Sequence, residues 1–213
     1  GTLAERLTGR PEITIRDLLD DAPDTSAPTS LDAYLSLAGR LRVLASQQDA
    51  AEALAAAEYE QVLTMLARSY NITISDCGTG VWHPTTAPAL AMAQSLIVLG
   101  TPTVDGATRA AQTLDWLAQH GYAAKARDAV VVRGGDRRSH DVDADQIGAW
   151  FAQRARAVVE IPFDPHLATG AQISLDRLRR PTREAFLELA ALIADQFTAR
   201  PVLAVASAET RRP

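Results

Sequence analysis

The residues of this chain best placed for chemistry are a carboxylate and the glycines behind it, Asp76-Cys77-Gly78-Thr79-Gly80, which follow the β-branched run Asn71-Ile72-Thr73-Ile74-Ser75. An acid at the tip of a buried strand, followed by Gly-x-Gly, is where an Mg²⁺ ion held through water sits beside a nucleotide's phosphates. The same carboxylate could equally cap the turn that follows it. The other strand ends read Ser46-Gln47-Gln48, Gly100-Thr101-Pro102-Thr103, Arg133-Gly134-Gly135-Asp136 and Pro162-Phe163-Asp164. They matter because ligands of open parallel sheets bind at the carboxyl ends of the strands. Arg133, Arg137 and Arg138 could reach a phosphate there, but a solvated loop is the plainer reading.

Several other groupings fall short. Cys77 lies near His83, yet the glycine-rich turn offers no orienting group, so a buried structural cysteine is expected. Asp141-Val142-Asp143-Ala144-Asp145 begins like a calcium loop, but its sixth and twelfth positions are Gln146 and Ala152, where Gly and Glu are needed. Helix capping is expected instead. His83, His120, His140 and His166 are widely spaced and form no H-E-x-x-H, which argues against a zinc hydrolase. Arg177, Arg179, Arg180 and Arg183 could contact a DNA backbone, but beside Asp176 and Glu184 they read as an exposed, partly paired surface.

The elements that must position these residues alternate. Strands are expected at Leu41–Ala45, Asn71–Asp76, Ser95–Leu99, Ala129–Val132 and Ala157–Ile161. Helices are expected at Ala50–Arg68, 85–94, Asp105–His120, Asp143–Arg154 and Pro181–Thr198. Asp105 should cap its helix and Gly121 stop it. Short apolar strands between longer helices predict an α/β fold, a parallel sheet flanked by helices on both faces. The expected division is an N-terminal helical and loop segment (1–40), the α/β domain (41–198) and a tail (199–213).

Composition narrows the class. The 213 residues are 47% hydrophobic and 22% charged, which excludes a wholly disordered chain. A net charge of −5 gives no general pull toward nucleic acid or an anionic membrane. The one cysteine forms no intrachain disulfide and suits a reducing cytoplasm. Cys77–Val104 has no charged residue, but Pro84, Pro88 and Pro102 interrupt it, so membrane insertion is not expected. There are 40 alanines and 20 arginines against one lysine, the usage of a GC-rich genome.

Three stretches carry a family resemblance as an ordered set. They are Tyr70-Asn71-Ile72-Thr73-Ile74-Ser75-Asp76-Cys77-Gly78-Thr79-Gly80; Val104-Asp105-Gly106-Ala107 with Leu114-Asp115-Trp116-Leu117; and Ile161-Pro162-Phe163-Asp164-Pro165. From Leu41 to Phe197 the chain resembles the second half of the MinD/ParA-like P-loop ATPases, in the actinobacterial branch associated with type VII secretion. The resemblance implies a cytoplasmic, nucleotide-dependent switch that binds ATP and Mg²⁺, dimerises or engages a secretion-machinery protein, and changes partner affinity on hydrolysis. It assigns Asp76 to Mg²⁺ through water and to the attacking water, and Gly78, Thr79 and Gly80 to a turn sensing the γ-phosphate. Pro162, Phe163 and Asp164 would flank the base.

The chain departs from that pattern in ways that matter. It lacks G-x-x-x-x-G-K-[ST], and its single lysine, Lys125, precedes a strand without glycines. Thr73 and Ser75 interrupt the strand before Asp76, and Arg133-Gly134-Gly135 stands where the family commonly places an adenine-reading Asn. Either the first strand and phosphate loop lie upstream of Gly1, or the chain is a degenerate relative acting as a non-catalytic adaptor. A ParA-like DNA partition protein is the third reading. This chain alone is expected to hydrolyse nothing. In the family the phosphate-loop strand lies beside the strand ending at Asp76, so its absence should leave an apolar edge. Another chain, a rearranged strand or a proteolytic remnant is expected to cover it.

Overall fold

The computed structural model describes residues 2–9, 13–21, 30–46, 54–78, 83, 85–101, 103–135 and 144–199. Its centre is a three-stranded parallel sheet, β3 (Ile97–Gly100), β4 (Val130–Gly134) and β5 (Ala157–Ile161), in that spatial order. Val98 pairs with Val131 and Val131 with Val158, which places all three side chains on one face. Helices α5 (Val104–Gln119) and α7 (Ala144–Ala152) cover that face through Leu114, Leu117 and Phe151. On the other face Val130, Val132, Val159 and Ile161 meet Ala185, Leu189, Leu192 and Ile193 of α9 (Arg180–Ala199). Continuous valine in β4 is what burial on both faces requires, and Val130 and Val131 are fully buried.

Local signals set the helix ends. The Thr103 hydroxyl, not Asp105, caps α5 by accepting from the Gly106 N–H. The cap falls two residues earlier than expected because Thr103 is the extended residue whose side chain faces the first free N–H groups. Gly106 must be glycine, since a Cβ there would overlap the Thr101 side chain and carbonyl. Gly121, at a φ of +90°, follows the end of α5 as expected. Between α5 and β4 lies α6 (Ala123–Arg127), whose Lys125 reaches back to α4 (Thr86–Met92). Its ammonium donates to the carbonyls of Leu90 (2.5 Å), Ala93 (2.6 Å) and Ala91 (3.0 Å). The chain's single lysine thus neutralises a helix C-terminus.

The N-terminal part has its own core. Helices α1 (Thr2–Thr8) and α2 (Ile15–Asp21), a 3-10 turn at Leu31–Tyr34, and the hairpin β1 (Ser36–Ala38) and β2 (Leu41–Val43) precede α3 (Ala56–Ser69). Ile15, Leu18, Leu19, Leu31, Val62 and Met65 pack together there. Arg16 clamps Glu58 at 2.8 and 3.4 Å, and Glu58 also accepts from the Ala55 N–H. The arginine first, then that amide, holds the Glu58 carboxyl below its ordinary pKa.

Two expected strands are corrected. The strand at Leu41–Ala45 is shorter and pairs antiparallel with β1, outside the parallel sheet; Ala45 makes an isolated bridge to Thr14. Asn71–Asp76 is not a strand. The segment has no paired neighbour among the described residues, and Ile72 and Ile74 are 61% and 80% exposed. β-branched composition reports fit to a pleated surface, and here no such surface is present. The helix expected from Ala50 begins at Ala56, with Leu54 and Ala55 described ahead of it and not helical; residues 47–53 and 200–213 lie outside the description.

Replacing Lys125 by Met, which keeps the stem and removes the donors, should lower the unfolding free energy by about 1.5–3 kcal/mol. Urea denaturation of the two proteins measures it; an unchanged midpoint would remove Lys125 from the α4–α6 joint.

Candidate functional site

The carboxyl ends of the three strands form one edge of the molecule, and the structure joins two of them directly. The Gly135 N–H donates to the Ile161 carbonyl at 2.5 Å, so the β4 and β5 exits lie against each other. A Cβ on Gly135 would strike the backbone of Pro162 and Phe163, so glycine is required for that approach. Arg133 corrects the expectation of a solvated loop: β4 runs on to Gly134, and Arg133 sits within it, 8% exposed, with its guanidinium toward Gly148 of α7. Its side chain shares the face of Val131 by strand alternation.

Asp164 is the most constrained carboxylate at this edge, only 3% exposed. It caps α8 (Pro165–Ala168) by accepting from the His166 N–H at 2.9 Å, and its other oxygen accepts from the Arg179 N–H at 2.8 Å. The Arg179 amide above all, with the His166 amide, holds its carboxyl below the ordinary aspartate pKa. His166, also buried, accepts from the Ser174 N–H through Nε2 at 2.9 Å. Arg6 of α1 donates to the Leu167 carbonyl at 2.9 Å, and its own carbonyl accepts from the Ile173 N–H at 2.8 Å. Pro162 and Phe163 are half-buried above this framework.

Asp76 stands apart in character. It is exposed, and its Oδ1 accepts from the Gly78 N–H at 2.9 Å, closing a turn in which Gly78 has a φ of +66°. Cys77 is exposed, where a buried cysteine was expected, because the segment it follows has no sheet to enter. Local desolvation of the sulfur, with the Asp76 charge second, pushes the thiol's pKa up, which disfavours a thiolate nucleophile. Thr79 and Gly80, like Asp136, Arg137, Arg138, His140 and 141–143, lie outside the described residues. Of the arginine cluster, Arg180 pairs with Glu184 at 2.7 Å on the exposed side of α9, the partly paired surface the sequence suggests. Among the described residues no three His, Cys, Asp or Glu side chains converge on a metal position, and no helix is long and apolar enough to cross a membrane.

Sequence reading missed the roles of Arg6, His166 and Lys125 as donors and acceptors for distant backbone. Nothing local marks such partners: the Arg6 and Lys125 contacts join segments far apart in the chain, and that of His166 spans the loop to Ser174.

Fold and site together define an α/β protein with a parallel sheet whose carboxyl edge is laced by side chain to backbone hydrogen bonds. No family model matches the chain. It is 32% identical over 207 residues to the ESX-1 secretion-associated protein EspI in two strains of Mycobacterium tuberculosis, an alignment covering 92% of this chain and 30% of each relative. The chain therefore spans about three tenths of the length of the curated relatives it matches.

Asp164 sets a pH dependence. A carboxylate with a depressed folded-state pKa contributes stability above the ordinary aspartate pKa, lost as pH falls through the depressed value. Asp164→Asn should thus be less stable than the parent at neutral pH, with the gap closing on acidification below the ordinary aspartate range. Thermal melts of both proteins across that range check it, and a gap independent of pH refutes the assignment.

Proposed function

We propose that this chain is the C-terminal part of a nucleotide-dependent switch of the MinD/ParA-like kind that supports type VII secretion. The observation carrying the secretion role is the similarity to EspI, which extends over 92% of the chain. The nucleotide role is supported by the order of the motifs in the sequence, Asp76 to Gly80 and then Ile161 to Asp164, and by a parallel sheet that presents its carboxyl edge. On this reading the protein is cytoplasmic, and its partner is a second copy or a component of the secretion machinery.

The described residues do not by themselves fit ATP and Mg²⁺. The one lysine is spent on the C-terminus of α4, and both oxygens of Asp164 are taken by backbone amides. Of the two carboxylates the resemblance assigns, Asp76 is the one left facing solvent, and a carboxylate without lysine or glycine-loop amides cannot balance a triphosphate. A phosphate-binding loop would have to come from polypeptide outside these residues. The same engagement of Lys125 and Asp164 favours a second reading, an adaptor that keeps the fold as an interaction surface and binds no nucleotide.

Calorimetric titration of the full-length polypeptide with Mg-ATP separates the two. The switch reading expects binding, with turnover falling roughly a hundredfold in Asp76→Ala while nucleotide is still bound. The 213 residues alone should turn over none. Full-length protein that binds no Mg-ATP leaves the adaptor, and unaltered turnover in Asp76→Ala takes that residue out of the site.

A further inference from the structure

Of the histidines His83, His120 and His166 among the described residues, two make ring contacts that outlast protonation. His120 places Nδ1 2.8 Å from the Trp116 carbonyl, to which it donates in either charge state, and His83 meets the Thr85 hydroxyl at 2.7 Å, which can turn to suit it. His166 has no such freedom. It is 7% exposed, and its Nε2 accepts from the Ser174 N–H, a group that can only donate. The bond therefore exists only with the ring neutral and its proton on Nδ1. A second proton would set N–H against N–H across 2.9 Å and leave a charge buried there.

This bond closes the loop that leaves the carboxyl edge. Ser174 follows Ile173, whose N–H donates to the Arg6 carbonyl at 2.8 Å, while the Arg6 guanidinium donates to the carbonyls of Leu167 at 2.9 Å and Ala171 at 3.4 Å. Both ends of the stretch 167–173 thus meet α1, and the His166 ring ties those ends to each other. The stretch turns at Gly170, where φ is +69°. The charged groups around the ring are Asp164, which accepts from the His166 N–H; Arg6 of α1; and Asp176, Arg177 and Arg179 on the chain that continues from Ser174.

We propose that His166 is a proton-operated latch between α1 and the loop after β5, closed with the ring neutral and open once Nε2 takes up a proton from solvent. Opening withdraws the acceptor from Ser174 and frees Ile173 from Arg6. The exit of β5, with Pro162, Phe163 and Asp164, is then no longer braced by the N-terminal part. The change is local, since the sheet keeps its helical covers and α3 its packing on α4. Its sign follows from which form makes the bond: the closed state is favoured where imidazole is neutral and is lost as pH falls through the range in which histidine side chains titrate, about pH 5–8. The latch goes beyond the secretion and nucleotide readings and holds for switch and adaptor alike.

Amide exchange of the full-length polypeptide, followed by mass spectrometry with each rate divided by the intrinsic chemical rate at that pH, tests it. Protection of the peptides covering 170–174 and α1 should fall about tenfold or more between roughly pH 7.5 and 5, while β4 and α5 keep theirs. His166→Gln, whose carboxamide oxygen reaches the place of Nε2 and does not titrate, should remove this pH dependence; His166→Asn, which does not titrate either, replaces it if the glutamine variant fails to fold. Protection that stays level in the parent overturns the latch, and so does a fall that begins only below the ordinary aspartate range, as titration of Asp164 would produce. A fall shared equally by β4, or one that persists in the non-titrating variant, overturns it too.

Discussion

Everything in the α/β part depends on keeping water from both faces of β4. Val130 and Val131 point to opposite sides, and each needs a helical cover: Leu114, Leu117 and Phe151 for one, the inner stripe of α9 for the other. That requirement fixes the flanking strands in register, places α5 and α7 on one side, and obliges the chain after β5 to cross to the other. The loop making that crossing is long, and Asp164 organises it by holding the amides of His166 and Arg179, thirteen residues apart in sequence. The geometry of the carboxyl edge is thus a by-product of burying one strand.

Several charged side chains of this molecule serve the backbone of their own chain. Asp164 and Glu58 accept from amides, Lys125 and Arg6 donate to carbonyls, and Asp76 closes its own turn. A buried or half-buried polar group satisfied this way stabilises a connection but is not available to a ligand. Asp76 differs from the others in its exposure, which is why the choice between switch and adaptor turns on polypeptide that would face it. The similarity to EspI bears on the proposed secretion role, and the engaged lysine on the proposed nucleotide role.

Much of the fold was legible because its strongest signals are local. Ala129–Val132 and Ala157–Ile161 announce buried parallel strands by unbroken apolar runs, and Asp105–His120 announces a helix by its spacing and terminal glycine. What failed was whatever depended on a partner. Ile72 and Ile74 have the composition of a strand and no neighbour to pair with, and Arg133 read as loop because the end of β4 is set by pairing with Glu160 and Ile161 in β5 rather than by its own sequence. The site was less legible than the fold. The resemblance assigns Asp164 to the flank of a nucleotide base, whereas its partners are the amide of His166, two residues on, and that of Arg179 from the far side of a loop.

The tie between α1 and the loop after β5 bears on the order in which the molecule assembles. Arg6 meets Leu167 across 161 residues, so this contact closes about three quarters of the 213 residues into a ring. Closure of so long a loop is entropically costly until the segments between its ends are already compact, and non-local contacts of this sort slow folding. The two cores can each form from nearer neighbours. Their joining through Arg6 belongs to the last stage, and a ribosome must release the chain past Ile173 before that stage can begin.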